Sequence, residues 1–224
     1  MKMSRLIFTF AIMTLSLTSL CSCRSTAPEA ESTTTEPMPW VVDKFDDIKV
    51  LRYEVPGFEK LPLQQKTLIY YLAQATKAGR DILFDQNFKY NLTVRRTLEA
   101  IYNKYDGDRA DANFVAMEKY LKKVGFANGI HHHYSNDKFR PEFSREWFAE
   151  AVGKYVDPQN LPIEKSLLLD IIFDPALYAK RLNQTDGVDM VTESACNDYE
   201  GVTMKEVDDF YTAMRDDNDP TPIS

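Results

Sequence analysis

"YNLTVRRTLEAIYNKY" runs from Tyr90 to Tyr105, and its reading decides the fold class. Val94, Leu98, Ile101, Tyr102 and Tyr105 recur at the spacing that places side chains on one face of an α-helix. Upstream, Leu68, Ile69, Leu72, Ala75, Gly79, Ile82 and Leu83 keep the same period. Downstream, "DGDRAD" (Asp106 to Asp111) interrupts it. Asp108 or Asp111 can cap a following helix that carries Phe114, Met117, Leu121 and Val124, with Gly125 as its expected stop. Beyond a stretch without helical period, Phe143, Trp147, Phe148, Ala151, Val152 and Tyr155 mark another helix, with Ser144 as N-cap and Pro158 past its end. Ile163, Leu167, Leu168, Ile171 and Ile172 form a further apolar face. Asp174-Pro175 reads as a cap followed by proline at the first helical position. Thr203 and Glu206 fit a capping box, with Val202 and Val207 placed for a hydrophobic staple. "KVLRYEVPGF" (Lys49 to Phe58) predicts one extended segment. The expected class is α+β, mainly helical, with a few short strands.

The chain has 224 residues, 44% of them hydrophobic, enough for one buried core and a small second unit. Its formal net charge of -7 argues against nucleic acid, whose binders present a basic face.

The N-terminus reads as an export signal. Lys2 and Arg5 precede an apolar run, Leu6 to Leu20, that is short for a membrane span. Leu20-Cys21-Ser22-Cys23 then fits a bacterial lipobox, with Leu at minus three and a small residue at minus one. This register makes Cys23 the cysteine to be acylated. An ordinary secretory signal with incidental cysteines is the plainer alternative. Residues 1–22 are thus read as a lipoprotein signal peptide. Residues 23–39, rich in Ser, Thr, Glu and Pro, read as a disordered tether, and residues 40–224 as the folded body. The expected location is exported, in the periplasm or cell envelope, anchored to a membrane by lipid.

Cys196 is the single cysteine of that body, so no internal disulfide is expected. "ESACNDYEG" offers it no adjacent base, and a structural thiol is the simpler reading. All three histidines lie together, at His131, His132 and His133, inside "GIHHHYSNDKFRP" (Gly129 to Pro141). On a strand, His131 and His133 would share one face and His132 the other. A zinc site there would still need a third, distant ligand. Loop or strand hydrogen bonding is the plain alternative, and lining of a substrate cleft the functional one. "DGDRADANF" resembles the opening of a calcium loop, but the loop's glycine and closing Glu are out of place, and it reads as a helix cap.

"YYLAQATKAGRDILFDQNFKYNLTVRRTLEAIY" (Tyr70 to Tyr102), "NGIHHHYSNDKFRPEFS" (Asn128 to Ser144) and "NDYEGVTMKEVDDFY" (Asn197 to Tyr211) together resemble the dipeptidyl peptidase III family of zinc exopeptidases, closest to its bacterial, Bacteroides-type members. The resemblance covers nearly all of Asp43 to Ser224 and rests on extended similarity. Many eukaryotic members carry G-N-Y-K-S-F-G-D-T-K-F-V-P where this chain has Gly129 to Pro141. The glycine, Lys138, Phe139 and Pro141 agree, and an aromatic that lines the family's peptide cleft falls on Tyr134. The resemblance implies a substrate-binding set of Tyr134, His133, His132, Asn136 and Lys138. It also implies part of the N-terminal region of a two-lobed metallopeptidase that removes dipeptides from peptide N-termini.

The family holds zinc with His-Glu-x-x-Gly-His on one helix and a further Glu on a second. This sequence contains no His-Glu pair. No catalytic residue and no metal ligand is therefore assigned to it. The expectation is a truncated N-terminal portion, with the zinc-bearing lobe absent. It would be inactive alone and open to completion by a separately encoded C-terminal portion. Its partners would be a peptide substrate in the complete enzyme and a membrane. Two alternatives stay open: a membrane-tethered peptide-binding lipoprotein that does not hydrolyse, and a metal-binding lipoprotein using the His cluster.

Overall fold

Helix α2 (Asn91–Lys104) is the axis about which the rest is arranged. Val94, Leu98 and Ile101 are wholly removed from solvent, as their spacing requires. Around α2 pack α1 (Leu63–Asn87), α3 (Ala112–Ala127) and α4 (Arg145–Tyr155); α5 (Lys165–Phe173) packs in turn on α4. A last helix, α6 (Met204–Met214), buries none of its residues. The computed structural model describes residues 40–215 and Asn218. The proposed signal peptide, Cys23 and the tether lie outside the described residues. The body, Trp40–Ser224, is one compact unit with its own core.

The architecture is α+β and mainly helical, with one two-stranded sheet among the described residues. That sheet corrects the single extended segment expected before Pro56. β1 (Val41–Phe45) and β2 (Ile48–Leu51) pair antiparallel, Phe45 opposite Ile48, through a turn in which Asp46 takes a left-handed conformation. Aspartate tolerates that region better than most residues. The carboxylates of Asp43 and Asp46 pair with Lys122 and Lys123 of α3, and Ile48 is buried beneath them.

Caps fall where short-range chemistry puts them. Asp111 Oδ1 accepts from the Asn113 and Phe114 amides at 2.9 and 3.2 Å. Ser144 Oγ accepts from Trp147 N–H at 3.1 Å. Thr203 and Glu206 form a complete capping box on α6. Two boundaries differ from expectation. Helix α3 runs past Gly125 to Ala127, because the left-handed cap is supplied by Asn128. No helix begins at Pro175. Asp174 is instead the C-cap of α5, and its side chain accepts from Ala176 N–H at 2.8 Å to close a turn.

Asn91 and Gly129 join α1, α2 and the end of α3. The buried Asn91 side chain donates to Phe84 O and accepts from Ile130 N–H, both at 3.0 Å. A Cβ on Gly129 would lie 2.2 Å from Asn91 Nδ2, and Gly129 has φ +154°. Glycine is required there by close approach as well as by backbone conformation.

Helix α1 departs from its apolar pattern. Only Phe84 is buried in it, while Leu68, Ile69, Leu72, Ile82 and Leu83 are exposed. The period predicts the helix correctly, but the described residues cover only its C-terminal end.

Candidate functional site

The stretch from Ile130 to Phe139 is a hairpin, built by three main-chain bonds. Phe139 N–H donates to Ile130 O at 2.8 Å, His132 N–H to Asp137 O at 2.8 Å, and Asn136 N–H to His132 O at 3.1 Å. A third segment flanks the return strand: Lys138 N–H donates to Ala179 O and Arg181 N–H to Asn136 O, at 2.9 and 2.8 Å. The segment at Ala195 and Cys196 bonds onto Lys180 and Arg181 in the same way. The hairpin is thus braced from a part of the chain more than 40 residues away.

Tyr134 stands at its tip with 82% of its surface exposed. The turn below it is held by His132, whose Nδ1 accepts from the amides of Tyr134 and Ser135, both at 3.2 Å. An acceptor side chain that closes a turn on its own following amides does the work Asn or Asp usually does. It also fixes the His132 tautomer, with the proton on Nε2.

The ring of His133 lies 4.2 Å from that of Tyr134, 4.6 Å from that of His132 and 5.1 Å from that of Phe126, between centroids. Phe126, Tyr134 and the two imidazoles form a partly exposed aromatic face. Burial holds His133 below the ordinary histidine range, and its Nδ1 has no hydrogen-bond partner.

His131 goes the other way. It is 2% exposed, and its Nε2 lies 2.8 Å from Tyr178 O. Burial depresses its pKa to about 4, so it is neutral over the physiological range.

The expectation that His131 and His133 share a face is therefore corrected. The strand ends at His131, and the turn brings His132 and His133 together instead. The three imidazoles differ in their surroundings. One is buried on a carbonyl, one has its Nδ1 lone pair filled by two amides, and no group of three His, Cys, Asp or Glu is placed to hold an ion among the described residues.

The other residues of the expected binding set are partly or wholly engaged inside the chain. Asn136 is left-handed, and its Oδ1 accepts from Arg181 Nε at 3.0 Å. Arg181 Nη1 also donates to Asn87 Oδ1 at 3.0 Å, tying the hairpin to the end of α1. The Lys138 ammonium is engaged within the chain. It donates to the carbonyls of Ile171, Asp174 and Leu177, which uses all three N–H groups. Two of those carbonyls terminate α5, so Lys138 satisfies orphan acceptors and sits as a cation at a helix C-terminus. Lys138 thus caps α5 from within the chain, and it also borders the groove beside the return strand. Asp81, by contrast, is an ordinary surface ion pair with Arg95 and Arg96.

On the far side of the hairpin, a groove of about 670 Å³ runs between its return strand and the end of α5. Phe139, Pro141, Ile172 and Phe173 supply apolar wall, and the exposed Arg140 and the Lys180–Asp137 pair supply charge. A second cavity, about 390 Å³, is lined by Lys89, Tyr178, Cys196 and Glu200 among others. Burial raises the Cys196 thiol above its ordinary range, which keeps it protonated and a poor nucleophile.

Sequence reasoning missed the braces, Arg181, Tyr178, Asn91 and Phe126. No local pattern marks them, because each acts on residues far away in the chain or on a neighbour defined only by folding. No family model and no curated protein matches the chain in the comparisons made.

Proposed function

We propose that the body is one wall of a peptide-binding cleft in a dipeptidyl peptidase III-like protein, held at a membrane through Cys23 and without hydrolysis of its own. The resemblance over Tyr70 to Tyr102, Asn128 to Ser144 and Asn197 to Tyr211 motivates the family. The observation that carries the site is Tyr134: a large aromatic, 82% exposed, on a turn whose every anchor is internal.

Exposing a tyrosine on a stiff support offers broad contact area at low ordering cost, which suits recognition of an extended chain. Stacked imidazoles beside it add polar edges for peptide amides. The charged groove along Arg140 lies on the same hairpin and offers a second contact. In the full family, zinc lowers the pKa of a bound water and so makes the nucleophile. The residues for that task in the family motif are not in this sequence. The contribution proposed for this chain is to hold and orient peptide. A free-standing peptide-binding lipoprotein would use the same surface.

The test is titration of purified Trp40–Ser224 with peptides of five to eight residues bearing free N-termini. Tyr134→Ala is expected to weaken binding by about 1–2 kcal/mol, the size of a moderate hot spot. Far-ultraviolet circular dichroism should not change, since the ring is outside the core. Equal affinity of variant and parent, or zinc-dependent release of dipeptides by the parent alone, would sink the reading.

A further inference from the structure

We infer that the exposed apolar residues running from the β1–β2 hairpin to the start of α1 rest on the surface of a lipid bilayer in the anchored protein. Leu63 is 79% exposed, Tyr53 71%, Val55 69% and Trp40 56%. The rings of Trp40 and Tyr53 meet edge-on at 6.5 Å. Phe58 follows, turned back on Val55 by a 3.1 Å main-chain bond, with the Lys66 ammonium 5.9 Å from its ring. Further along α1, Tyr70 and Tyr71 meet edge-on at 5.3 Å and are both exposed.

This exposure is not looseness of the hairpin. Ile48 is buried, and the Asp43–Lys122 and Asp46–Lys123 pairs fix β1 to α3. The hairpin is held from one side, and its aromatic side is left outward. Exposed apolar side chains gathered along one stretch of chain mark a surface for something.

Three observations select a bilayer. The first is residue chemistry. Trp and Tyr beside aliphatic side chains have one apolar and one polar end, and such rings favour the headgroup boundary. The second is charge. From Trp40 to Leu72 there are five basic and five acidic side chains, so this stretch of chain is neutral although the whole chain carries -7. A neutral aromatic face is not repelled by anionic lipid and does not need it. The third is position. The face starts at Trp40, and the residues between it and Cys23 are Arg24 to Pro39. That length of chain reaches at most roughly 55 Å when fully extended. An acyl chain on Cys23 would therefore confine the face to the neighbourhood of the membrane. Among the described residues no helix is long and apolar enough to cross a membrane. The inference rests on the anchored reading for its setting, while the face itself is tested without the anchor.

The experiment uses Trp40–Ser224, which has its own core, and two vesicle types: phosphatidylcholine alone, and phosphatidylethanolamine with phosphatidylglycerol. In a Trp147→Phe background Trp40 is the only indole. Flotation should recover protein with both vesicle types, insensitive to salt, and brominated lipid should quench Trp40. The Trp40→Ser, Tyr53→Ser, Leu63→Ser triple variant should partition about tenfold less, with unchanged circular dichroism. Equal partition of the triple variant would overturn the inference. So would binding confined to anionic vesicles and abolished by salt. A third contrary result is absence of vesicle binding together with self-association that the triple variant abolishes, which would make a second copy of the chain the occupant. Fatty-acid labelling of Cys23 separates the two ideas: a vesicle-binding body with an unlabelled Cys23 sustains the face and sinks the anchor.

Discussion

The Nε2–H of His131 donates to the carbonyl oxygen of Tyr178 across 2.8 Å, joining two residues 47 positions apart. A carbonyl only accepts, so the proton is on Nε2 and the ring is neutral. Tyr178 has φ +52°, a conformation that a bulky residue seldom adopts, and the bond helps to hold it there.

Stability is expected to fall on mild acidification because of this histidine. Its folded pKa of about 4 lies below the unperturbed value of 6.5. Between those pH values the unfolded chain takes up a proton that the folded chain does not. The stabilisation is therefore fully present above pH 6.5 and is lost as pH falls to about 4, by up to about 3 kcal/mol. The check is urea unfolding at several pH values for wild type and His131→Gln. Wild type should lose stability from pH 6.5 to 4.5 while the variant stays nearly level. Parallel curves would refute it.

Lys138 should prove structural. Lys138→Met leaves the carbonyls of Ile171, Asp174 and Leu177 without their shared donor, and a loss of about 2–3 kcal/mol is expected. Lys138→Arg should rescue little, since a planar guanidinium cannot direct three donors as a compact ammonium does. Denaturation midpoints of both variants are the measurement. A stable Lys138→Met with weakened peptide binding would return this residue to the cleft.

Tyr120→Phe should raise stability by about 1 kcal/mol. The phenol is buried, its hydroxyl has no hydrogen-bond partner, and burial pushes its pKa above the ordinary range. Deleting a buried, unpaired polar group removes a desolvation cost and leaves the ring packed on Phe143. Thermal melting decides it, with a lowered midpoint as the contrary result.

Acylation of Cys23 is expected from the Leu20-Cys21-Ser22-Cys23 register, which lies outside the described residues. Cells fed a labelled fatty acid should label the wild-type chain and not Cys23→Ser. Equal labelling of both, or none in either, would remove the lipid anchor.

Helices and their caps were legible in the sequence because their chemistry is local. The Val94, Leu98, Ile101 face, the Asp111 and Ser144 caps and the Thr203–Glu206 box each depend on side chains within one turn of one another. The exposed Tyr134 was legible only as a register match, and the roles of its neighbours were not. His132 and His133 sit next to each other in sequence as they do with His131, yet the turn at Asn136 and the donor from Arg181, 45 residues later, decide that two stack outward and one is buried. Lys138 reads as a free cation until α5 ends beside it. Helix α1 has the pattern of a core helix and remains largely uncovered, because amphipathic spacing states that a face is apolar and not what covers it. Local periodicity and capping thus determined the elements. Contacts between distant segments determined which side chains were buried, which were bound by carbonyls and amides, and which were left exposed.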